Sequence, residues 1–335
     1  MKATLKLNGP AFAGIDVGSE ALSVVIRQGE VALKALSFAN TPGGGKALLK
    51  KLAGFPDLIV CLEATGVYYL DLAMLLHDAG LQVMVLNPKV SHNFAKVLSR
   101  NTKTDAVDAD TLAQYACRMP FQAWVRPAPE ALTVRAFSRR LYALTQQKAA
   151  AKNQLHAVSF CADTPNAVLK DVRQSIVQLE KRIAVLTQEA RAFITQHPEI
   201  QQAYELLQTV KGIATVSAIA LLGELLLLPP DLTHKQWVKF AGLDPRQHQS
   251  GKSIDKPARL SKAGNRYIRH ALYMPALSAK THDPHVKAYF EHLLAMGKKP
   301  IQAVCAIMRK LLHAIHGMLA QRVPFDSTRF YAIPG

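Results

Sequence analysis

Cysteine is scarce in this 335-residue chain, and its spacing excludes two common kinds of site. The four residues are scattered, with no Cys-x-x-Cys pair: Cys61, Cys117, Cys161 and Cys305. Structural zinc sites and disulfide frameworks both need cysteines at closer or repeated spacings. We therefore expect neither, and we interpret the four residues as small buried hydrophobes in a reducing compartment.

Acidic residues are few compared with basic ones. The chain has 24 Asp and Glu against 41 Lys and Arg, which gives a formal net charge of +17 and a pI of about 9.8. Such an excess predicts a polyanionic partner. It is also uneven, at 12 basic to 10 acidic residues in 1–125, 11 to 6 in 126–200 and 18 to 8 in 201–335. This pattern suits a chemical domain attached to a nucleic-acid-binding one.

Long uninterrupted apolar runs are missing as well. The most apolar segment, 213–230, contains Gly223 and Glu224 and ends in two prolines, so we expect a buried helix there and no membrane span. Residues 1–8 lack the apolar segment that a signal peptide requires. These features predict a cytoplasmic, nucleoid-associated protein with no membrane partner.

Residues 1–125 are predicted to form a mixed α/β domain. Strand-length apolar runs occur at 11–17, 21–29, 30–40, 58–63 and 82–87, and a TPGGG turn at 41–45 precedes the first helix. The run LIVCLE at 58–63 is apolar until its last residue, which is typical of a strand buried on both faces. The order predicts an antiparallel meander followed by strand–helix repeats.

Two carboxylates come at the ends of predicted strands. Asp16 lies near the end of AFAGIDV, and Glu63 ends LIVCLE. Ligands of open α/β sheets gather outside strand ends, so these two side chains are candidates for one site. Taken singly, each also has an ordinary explanation, as a turn-forming Asp before Gly or a Glu at a strand end.

A third acidic cluster lies in the segment NTKTDAVDADTLAQYA, 101–116. Asp105 and Asp108 are three residues apart and so share one face of a predicted helix, with Thr104 or Asn101 as its N-cap. Acids in a first helical turn are also favoured by the helix dipole, so a solvated acidic face is the simpler interpretation. Together with the strand-end acids, however, they favour a site for one or two divalent cations.

Residues 126–200 are predicted to form an antiparallel coiled-coil hairpin. Apolar residues recur at alternating spacings of three and four from Val134 to Val158, with Lys148 as a polar break, and again from Val172 to Phe193. Pro127 marks the boundary before the first helix. The apolar face of such a hairpin packs within one subunit or also binds a partner chain. The sequence pattern is consistent with both arrangements.

Residues 201–335 are predicted to be mainly helical and to bind nucleic acid. The segment VKGIATVSA resembles a helix-hairpin-helix, whose Gly-centred turn presents backbone N–H groups to a phosphate. Residues 246–287 include nine basic residues and only two acidic ones, Asp255 and Asp283. We predict phosphate contacts from eight residues: Lys211, Arg246, Lys252, Lys256, Arg259, Lys262, Arg266 and Arg269.

The motifs occur in an ordered set that resembles a known family. AGIDVG, CLEATG and NTKTDAVDADTLA are followed by VKGIATVSAIALLGEL, FAGLDPRQHQSGKS and RLSKAGNRYIRHAL. This set is similar to that of Piv-type DNA invertases and related transposases of the insertion-sequence family numbered 110, which are bridge-RNA-guided serine recombinases. The resemblance covers nearly the whole chain.

The resemblance implies a fold, a metal and a nucleophile. It implies a RuvC-like (RNase H-like) domain in 1–125, a helical linker in 126–200 and a C-terminal transposase domain in 201–335. The family's DEDD set corresponds to Asp16, Glu63, Asp105 and Asp108, which would hold Mg²⁺ or Mn²⁺. Ser250 of the QSG motif corresponds to the nucleophile that forms a covalent phosphoserine with DNA. Asp110 lies outside this set, and we expect it on the helix surface.

The resemblance also implies partners. These are double-stranded donor and target DNA, a guide RNA encoded by the element, and further copies of the chain, from a dimer to a tetramer. In such an oligomer the acidic site and the serine would meet in a composite site. Ser253 and Ser261 are alternative nucleophiles, and His248 is a candidate base.

Three other classes of function stay open at this point. The first is a Mg²⁺-dependent RuvC-like endonuclease that uses water as nucleophile. The second is a sugar-kinase or chaperone-type ATPase, since IDVG also begins the phosphate strand of that fold, although no second glycine-rich phosphate loop follows. The third is a nucleic-acid-binding protein without catalytic activity.

Overall fold

The computed structural model describes residues 10–99, 102, 104–250 and 254–333, with the backbone alone at 247–250 and 254–258. The chain divides into two compact units, Met1–Arg126 and Pro127–Gly335. The predicted hairpin segment, 126–200, falls almost entirely within the second unit. The three-part division stays a prediction.

The first unit is built on a six-stranded mixed sheet. Its strands are β1 (Ala11–Val17), β2 (Ala21–Gln28), β3 (Val31–Ala32), β4 (Leu36–Ala39), β5 (Ile59–Glu63) and β6 (Gln82–Leu86). They follow the order β3-β2-β1-β5-β6, and β4 pairs with β2. The β1–β2 pair is antiparallel, whereas β1–β5 and β5–β6 are parallel. The predicted mixed sheet is confirmed, except that the single strand expected at 30–40 is two short ones.

Four helices accompany this sheet: α1 (Pro42–Leu52), α2 (Leu70–Asp78), α3 (Pro88–Val97) and α4 (Asp105–Arg118). The TPGGG turn predicted at 41–45 is wrong, because these residues begin α1. The Thr41 side chain caps the helix by accepting a hydrogen bond from the Gly44 N–H at 3.2 Å. A Cβ at Gly44 would lie 2.0 Å from the carbonyl oxygen of Ala39. The glycine thus serves close packing and not a turn.

Helix α4 lies directly on strand β1. A Cβ at Gly14 would come within 1.9 Å of the Ala109 carbonyl oxygen and 2.3 Å of the Ala113 nitrogen. Glycine on the strand and alanine on the helix therefore allow the two backbones to approach closely. On this face of the sheet a small apolar cluster, which includes Cys61 and Leu112, packs between strands and helix. The larger core of the unit includes residues of α1 and α2.

The second unit is mostly helical, as predicted. Its helices are α5 (Pro129–Ser159), α6 (Asn166–Thr195), α7 (Pro198–Gln208), α8 (Thr215–Leu225), α9 (His234–Ala241), α10 (Arg266–His282), α11 (Pro284–Ala295), α12 (Pro300–Gln321) and α13 (Ser327–Phe330). Most of the buried side chains of these helices form one continuous core. Helix α12 contributes seven buried residues to that core.

Helices α5 and α6 form the predicted antiparallel hairpin. Phe137 packs near Phe193 with ring centroids 6.4 Å apart, and Lys148 lies 3.9 Å from a Glu180 carboxylate oxygen further along. The base of the hairpin also packs on α8, where a Cβ at Gly223 would lie 2.5 Å from that of Ser138. This end of the hairpin's apolar face is therefore used within the subunit.

Helices α7 and α8 and the turn between them form the predicted helix-hairpin-helix-like element. Gly212 in the turn has φ +96°, which favours glycine, and a Cβ there would lie 2.7 Å from that of Ser278 on α10. The turn is thus packed on α10 on one side. Lys211 beside it is exposed.

Residues 245–250 and 254–260 form an antiparallel β-hairpin. Its strands are β7 (Pro245–Ser250) and β8 (Ile254–Leu260). The pairing shifts register between Arg246 and His248, where two steps on β7 correspond to three on β8. The extra residue falls at the segment that contains Pro257, which has no N–H to donate, and bulges are where strands accept proline. Both strands are largely polar, so the sequence lacks the apolar alternation that would predict them.

Two smaller expectations have clear outcomes. None of the four cysteines forms a disulfide, and Cys61 is buried as predicted, but Cys161 is exposed in the connection between α5 and α6. In the described part of the chain one helix, α12, is long and apolar enough to cross a membrane by length and composition alone. Core helices pass the same test, and 44% of that apolar window is buried inside the protein.

Candidate functional site

The pairing of β1 with β5 places the two strand-end carboxylates side by side. Ile15 pairs with Leu62 in parallel register, so the next residues, Asp16 and Glu63, are neighbours at the carboxyl ends of adjacent strands. Side chains alternate along a strand, so both carboxylates point to the same face as Gly14. That is the face covered by α4, and the close approach at Gly14 brings the start of this helix toward them.

Helix α4 supplies the other two carboxylates from its first turns. Thr104 is its N-cap and accepts a hydrogen bond from the Val107 N–H at 3.3 Å, while Asn101 lies outside the described residues. The i, i+3 spacing then turns Asp105 and Asp108 to one side of the helix. Both residues line a cavity of about 600 Å³ that is also lined by Asp16 and Glu63. The fold thus gathers the four predicted residues around one space.

Three further residues of this cavity were not singled out from the sequence. The Thr65 hydroxyl donates to Glu63 Oε1 at 2.7 Å, and the Ser91 hydroxyl makes a short hydrogen bond to Glu63 Oε2. Both oxygens of this carboxylate are therefore held in place. Exposed His92 also lines the cavity. The only sequence signal for any of them was the position of Thr65 in CLEATG, directly after the strand end.

The electrostatics of the cavity show that negative charge is concentrated there. The pKa of Asp16 is raised to about 6, mainly by burial and also by the negative charges of Asp108, Asp105 and Glu63. Under the site, burial and the charge of Glu63 raise the pKa of the Cys61 thiol to about 12. Cys61 is therefore an inert packing residue, and the carboxylates are the reactive groups of this region.

The residues suit a hard divalent cation by donor type and charge. Carboxylate, hydroxyl and imidazole groups surround the space, and Mg²⁺ and Mn²⁺ prefer oxygen ligands. Within the described ranges, Asp16, Glu63 and Asp105 form no ion pair with a basic side chain. In that same part of the chain, no three His, Cys, Asp or Glu side chains are arranged as a ready-made metal cluster. A bound cation would thus offset the repulsion while drawing the carboxylates together.

Asp110 was expected on the helix surface, and this expectation is wrong. Its side chain is 14% exposed and accepts a hydrogen bond from Arg27 Nη1 at 2.6 Å. Gln114 donates to its other oxygen at 2.9 Å. Two residues beyond Asp108 the helix has turned toward β2, so this carboxylate completes a buried ion pair away from the cavity.

The eight predicted nucleic-acid-binding residues have different surroundings. Lys211, Arg246, Arg259, Lys262 and Arg266 are exposed. Arg269 is less available to a phosphate, because its Nη1 donates hydrogen bonds to the carbonyl oxygens of Ala241 at 2.8 Å and Gly264 at 3.1 Å. Lys256 lies on β8 in its backbone-only segment, and Lys252 lies outside the described residues.

Ser250 is the last residue of β7 and pairs with Ile254. Candidate base His248 is on the same strand, opposite Lys256, and Ser253 lies outside the described residues. Ser261 is the other alternative nucleophile. Its hydroxyl donates a hydrogen bond to Asp244 Oδ1 at the base of the hairpin. The role of Ser250 as nucleophile stays a prediction.

A mixed sheet with four carboxylates around one cavity, joined in the chain to a strongly basic helical unit, defines a class of protein, the nucleic-acid-processing enzymes. Comparison with known families makes this specific. Residues 13–158 match the DEDD transposase family model of IS110 elements, and residues 204–291 match the model described as "Transposase IS116/IS110/IS902 family".

Individual relatives agree with the family models. The pilin gene-inverting protein of Moraxella lacunata is 30% identical over 275 residues, which cover 80% of this chain and 82% of that protein. The transposase of insertion sequence element IS1328 from Yersinia enterocolitica is 25% identical over 247 residues, which cover 67% of this chain and 72% of that protein. The solved structure of T. thermophilus RuvC with a Holliday junction substrate aligns with a TM-score of 0.27 and 15% identity, over 34% of this chain and 99% of that chain.

This chain belongs to the IS110 family of transposases and recombinases. It is therefore an enzyme that cleaves and rejoins DNA. Membership in this family confirms the expected resemblance and selects it over the ATPase and the non-catalytic binder.

Proposed function

We propose that this enzyme is an RNA-guided DNA recombinase of an insertion sequence, which exchanges strands through a phosphoserine intermediate. The observation that supports it most strongly is the gathering of Asp16, Glu63, Asp105 and Asp108 around one cavity. In this proposal those four side chains hold Mg²⁺ or Mn²⁺. When bound, the metal supplies Lewis-acid stabilisation of charge on a phosphoryl group.

The residues of the chain itself have separate tasks. Thr65 and Ser91 orient Glu63 through their hydrogen bonds, so that this carboxylate is presented in one position. Asp16, with its raised pKa, would bind protons in competition with a cation near pH 6. We therefore expect activity to rise with pH through this range as the carboxylate becomes ionised.

The proposed covalent step uses Ser250. Its Oγ forms a bond to a DNA phosphorus and loses its proton to a base, for which His248 is the nearest candidate in the sequence. The phosphodiester bond to a deoxyribose oxygen breaks, and that oxygen leaves with a proton as a free hydroxyl. A hydroxyl from the second DNA then attacks the phosphoserine and restores the serine.

The proposal includes the partners implied by the family resemblance. These are double-stranded donor and target DNA, a guide RNA encoded by the element, and an oligomer of two to four chains in which the carboxylates and Ser250 act together. Relatives named for gene inversion and for transposition support a DNA substrate. The cellular place of such a reaction would be the nucleoid in the cytoplasm.

Replacement of the serine tests the covalent step. We expect Ser250→Ala to abolish strand exchange and the denaturant-resistant protein–DNA complex that the wild-type enzyme forms. Ser253→Ala and Ser261→Ala serve as matched controls nearby in the sequence and should retain both. Strand cleavage that survives in Ser250→Ala would instead support a water-dependent endonuclease, the second candidate, which needs only the carboxylate site.

Guidance by RNA has its own test. Nucleic acid that co-purifies with the enzyme should include a structured RNA whose sequence matches the DNA flanking the gene. Programmed changes in its pairing segments should redirect recombination to matching targets. Recombination at an unchanged rate after complete RNase treatment would contradict the guided mechanism and leave the DNA recombinase assignment intact.

A further inference from the structure

A second cavity lies wholly within the second unit, at the base of the β7–β8 hairpin. It is a groove of about 840 Å³ between the hairpin base, α11 and the first half of α12. Five cations line it: Arg259, Lys262, Lys298, Arg309 and Lys310. Apolar side chains lie between them: Leu243, Pro245, Leu260, Leu293, Ile301 and Ala306. We call this space the cationic groove.

The positive charge of the cationic groove has no counter-charge within the described ranges. Neither Asp nor Glu lines it, and none of its five cations forms an ion pair with a described residue. Lys310 is half-buried, with its Nζ 4.4 Å from the centroid of the Tyr289 ring. Clustered like charge is unfavourable in the free protein, so the arrangement indicates a polyanionic ligand.

The apolar side chains of the groove indicate which kind of polyanion would bind there. A duplex presents mainly phosphates to a surface, because its bases are stacked and paired, whereas an unpaired strand also offers apolar base faces. Ile301 is 54% exposed at this groove, and it is a large apolar side chain between cations. The volume suits a few unstacked nucleotides and is far too small for a double helix.

The position of the groove indicates which strand would enter it. Its walls include the first residue of β7 and the last two of β8, while Ser250 ends β7. Five residue steps of about 3.3 Å separate Pro245 from Ser250, roughly 17 Å, which a few nucleotides can span. A strand held in the groove is thus within reach of the end of β7.

We propose that the cationic groove binds an unpaired segment of the DNA strand that Ser250 attacks, with phosphates on the cations and bases on the apolar side chains. The choice of DNA rests on the proposed function, since Ser250 is the residue assigned to DNA there. The groove would hold the strand on one side of the broken phosphodiester while the other DNA is brought into place.

Binding of a labelled single-stranded DNA oligonucleotide to the full-length protein, followed by fluorescence anisotropy, tests this proposal. The double variant Lys298→Gln/Arg309→Gln should weaken binding at least tenfold and reduce the salt slope by about 1.4, for two lost phosphate contacts. The matched control is Lys170→Gln/Lys181→Gln, which removes two exposed charges from α6 of the same unit. It should weaken binding less than twofold.

The apolar contribution is tested separately. Ile301→Ser should weaken binding of the single strand about fivefold and leave binding of the duplex of the same sequence unchanged, because only the unpaired strand offers its base faces. Since this side chain is largely exposed, we expect the variant to fold. Ser250→Ala should bind the oligonucleotide like the wild type, which separates failure of the groove from failure of the covalent mechanism.

Three results would overturn the proposal. Equal loss of single-strand and duplex binding in the double variant, with no effect of Ile301→Ser, would make the groove a general phosphate surface. Tighter binding of single-stranded RNA of the same sequence, lost in the double variant, would assign the groove to the RNA instead. Wild-type affinity in the double variant would exclude nucleic acid from it altogether.

Discussion

The acidic cavity of the first unit and the cationic groove of the second carry charges of opposite sign. In both, charged side chains are gathered without partners of the other sign in the described part of the chain. Asp16, Glu63 and Asp105 have no basic partner among the described side chains, and the cations of the groove have no acidic one. Other charges in the same units are paired. Arg27 binds Asp110 in the first unit, and Arg139 binds buried Glu224 in the second.

The difference between paired and unpaired charges separates two roles. Glu224 is 4% exposed, but Arg139 donates to both its oxygens, at 2.9 and 3.3 Å, and Asn265 donates at 2.6 Å. The same Asn265 caps α10, so this network ties three helices together. A buried charge with such partners stabilises the arrangement of the fold. Charges gathered without partners instead indicate a ligand.

Asp105→Asn should have the largest effect and tests the unpaired side of the comparison. Loss of one metal-binding carboxylate should reduce strand exchange about a thousandfold, or about 4 kcal/mol in activation free energy, because the metal contributes several kcal/mol. The fold should persist, since no basic partner is left behind. Recombination of a plasmid substrate measures the rate, and denaturant unfolding checks stability. A loss of stability above about 1 kcal/mol would place Asp105 among the structural charges.

Much of the acidic site was predictable because its signals are local. An apolar run of strand length ends at Asp16 and another at Glu63, and the i, i+3 spacing of Asp105 and Asp108 fixes a shared face on any helix. Gly14 in AGIDVG reflects the close approach of α4, although its helical partner could not be read from the strand alone.

What could not be predicted depends on contacts between distant residues. Asp110 pairs with Arg27, 83 positions earlier in the chain, and no local spacing shows this. The cationic groove was missed for the same reason, since Lys298 and Arg309 come from the α11–α12 region and reach the hairpin only through the packing of α12. The hairpin itself has no apolar alternation, so neither strand was detectable.

Asp110→Asn should have the next largest effect. It should lower the free energy of unfolding and leave metal binding unchanged. The isosteric change leaves Arg27 buried without its charged partner, and breaking a buried pair in this way costs about 3 kcal/mol. Chemical denaturation measures the loss. Glu30→Gln is the control, because that carboxylate is 84% exposed although it lies near the same arginine, and it should change stability by less than about 0.5 kcal/mol. Equal losses in the two variants would remove the distinction between buried and exposed partners.

Asp16→Asn should stabilise the metal-free enzyme at pH 7. The folded-state pKa of about 6 exceeds the ordinary value of 3.8, so the native state binds more protons between these pH values. Stability of the wild type therefore falls as pH rises from about 4 to 6, and the loss is complete at pH 7. The full shift corresponds to about 3 kcal/mol, and solvent screening of this half-buried group reduces the expected gain to about 1 kcal/mol.

The pH dependence and the response to metal check this gain. Thermal unfolding at pH 4 should show no difference between Asp16→Asn and the wild type, and the difference should develop by pH 7. Mg²⁺ should raise the melting temperature of the wild type more than that of the variant. Asp71→Asn, an exposed acid of α2, should show neither behaviour. A variant less stable than the wild type at pH 7 would mean that Asp16 has a structural partner.

Lys310→Met should have the smallest effect on stability and tests the groove side of the comparison. Burial lowers the pKa of Lys310, so its charge carries a desolvation cost, which the contacts with the Tyr289 and Phe330 rings offset in part. Methionine keeps the apolar packing and removes that cost, and we expect a change within about 0.5 kcal/mol. Affinity for single-stranded DNA should nevertheless fall, with a salt slope lower by about 0.7. A charge that costs little to remove from the fold but weakens binding of a polyanion is held there for the ligand. A clear loss of stability with unchanged affinity would instead place Lys310 with the paired charges of Arg139 and Arg27.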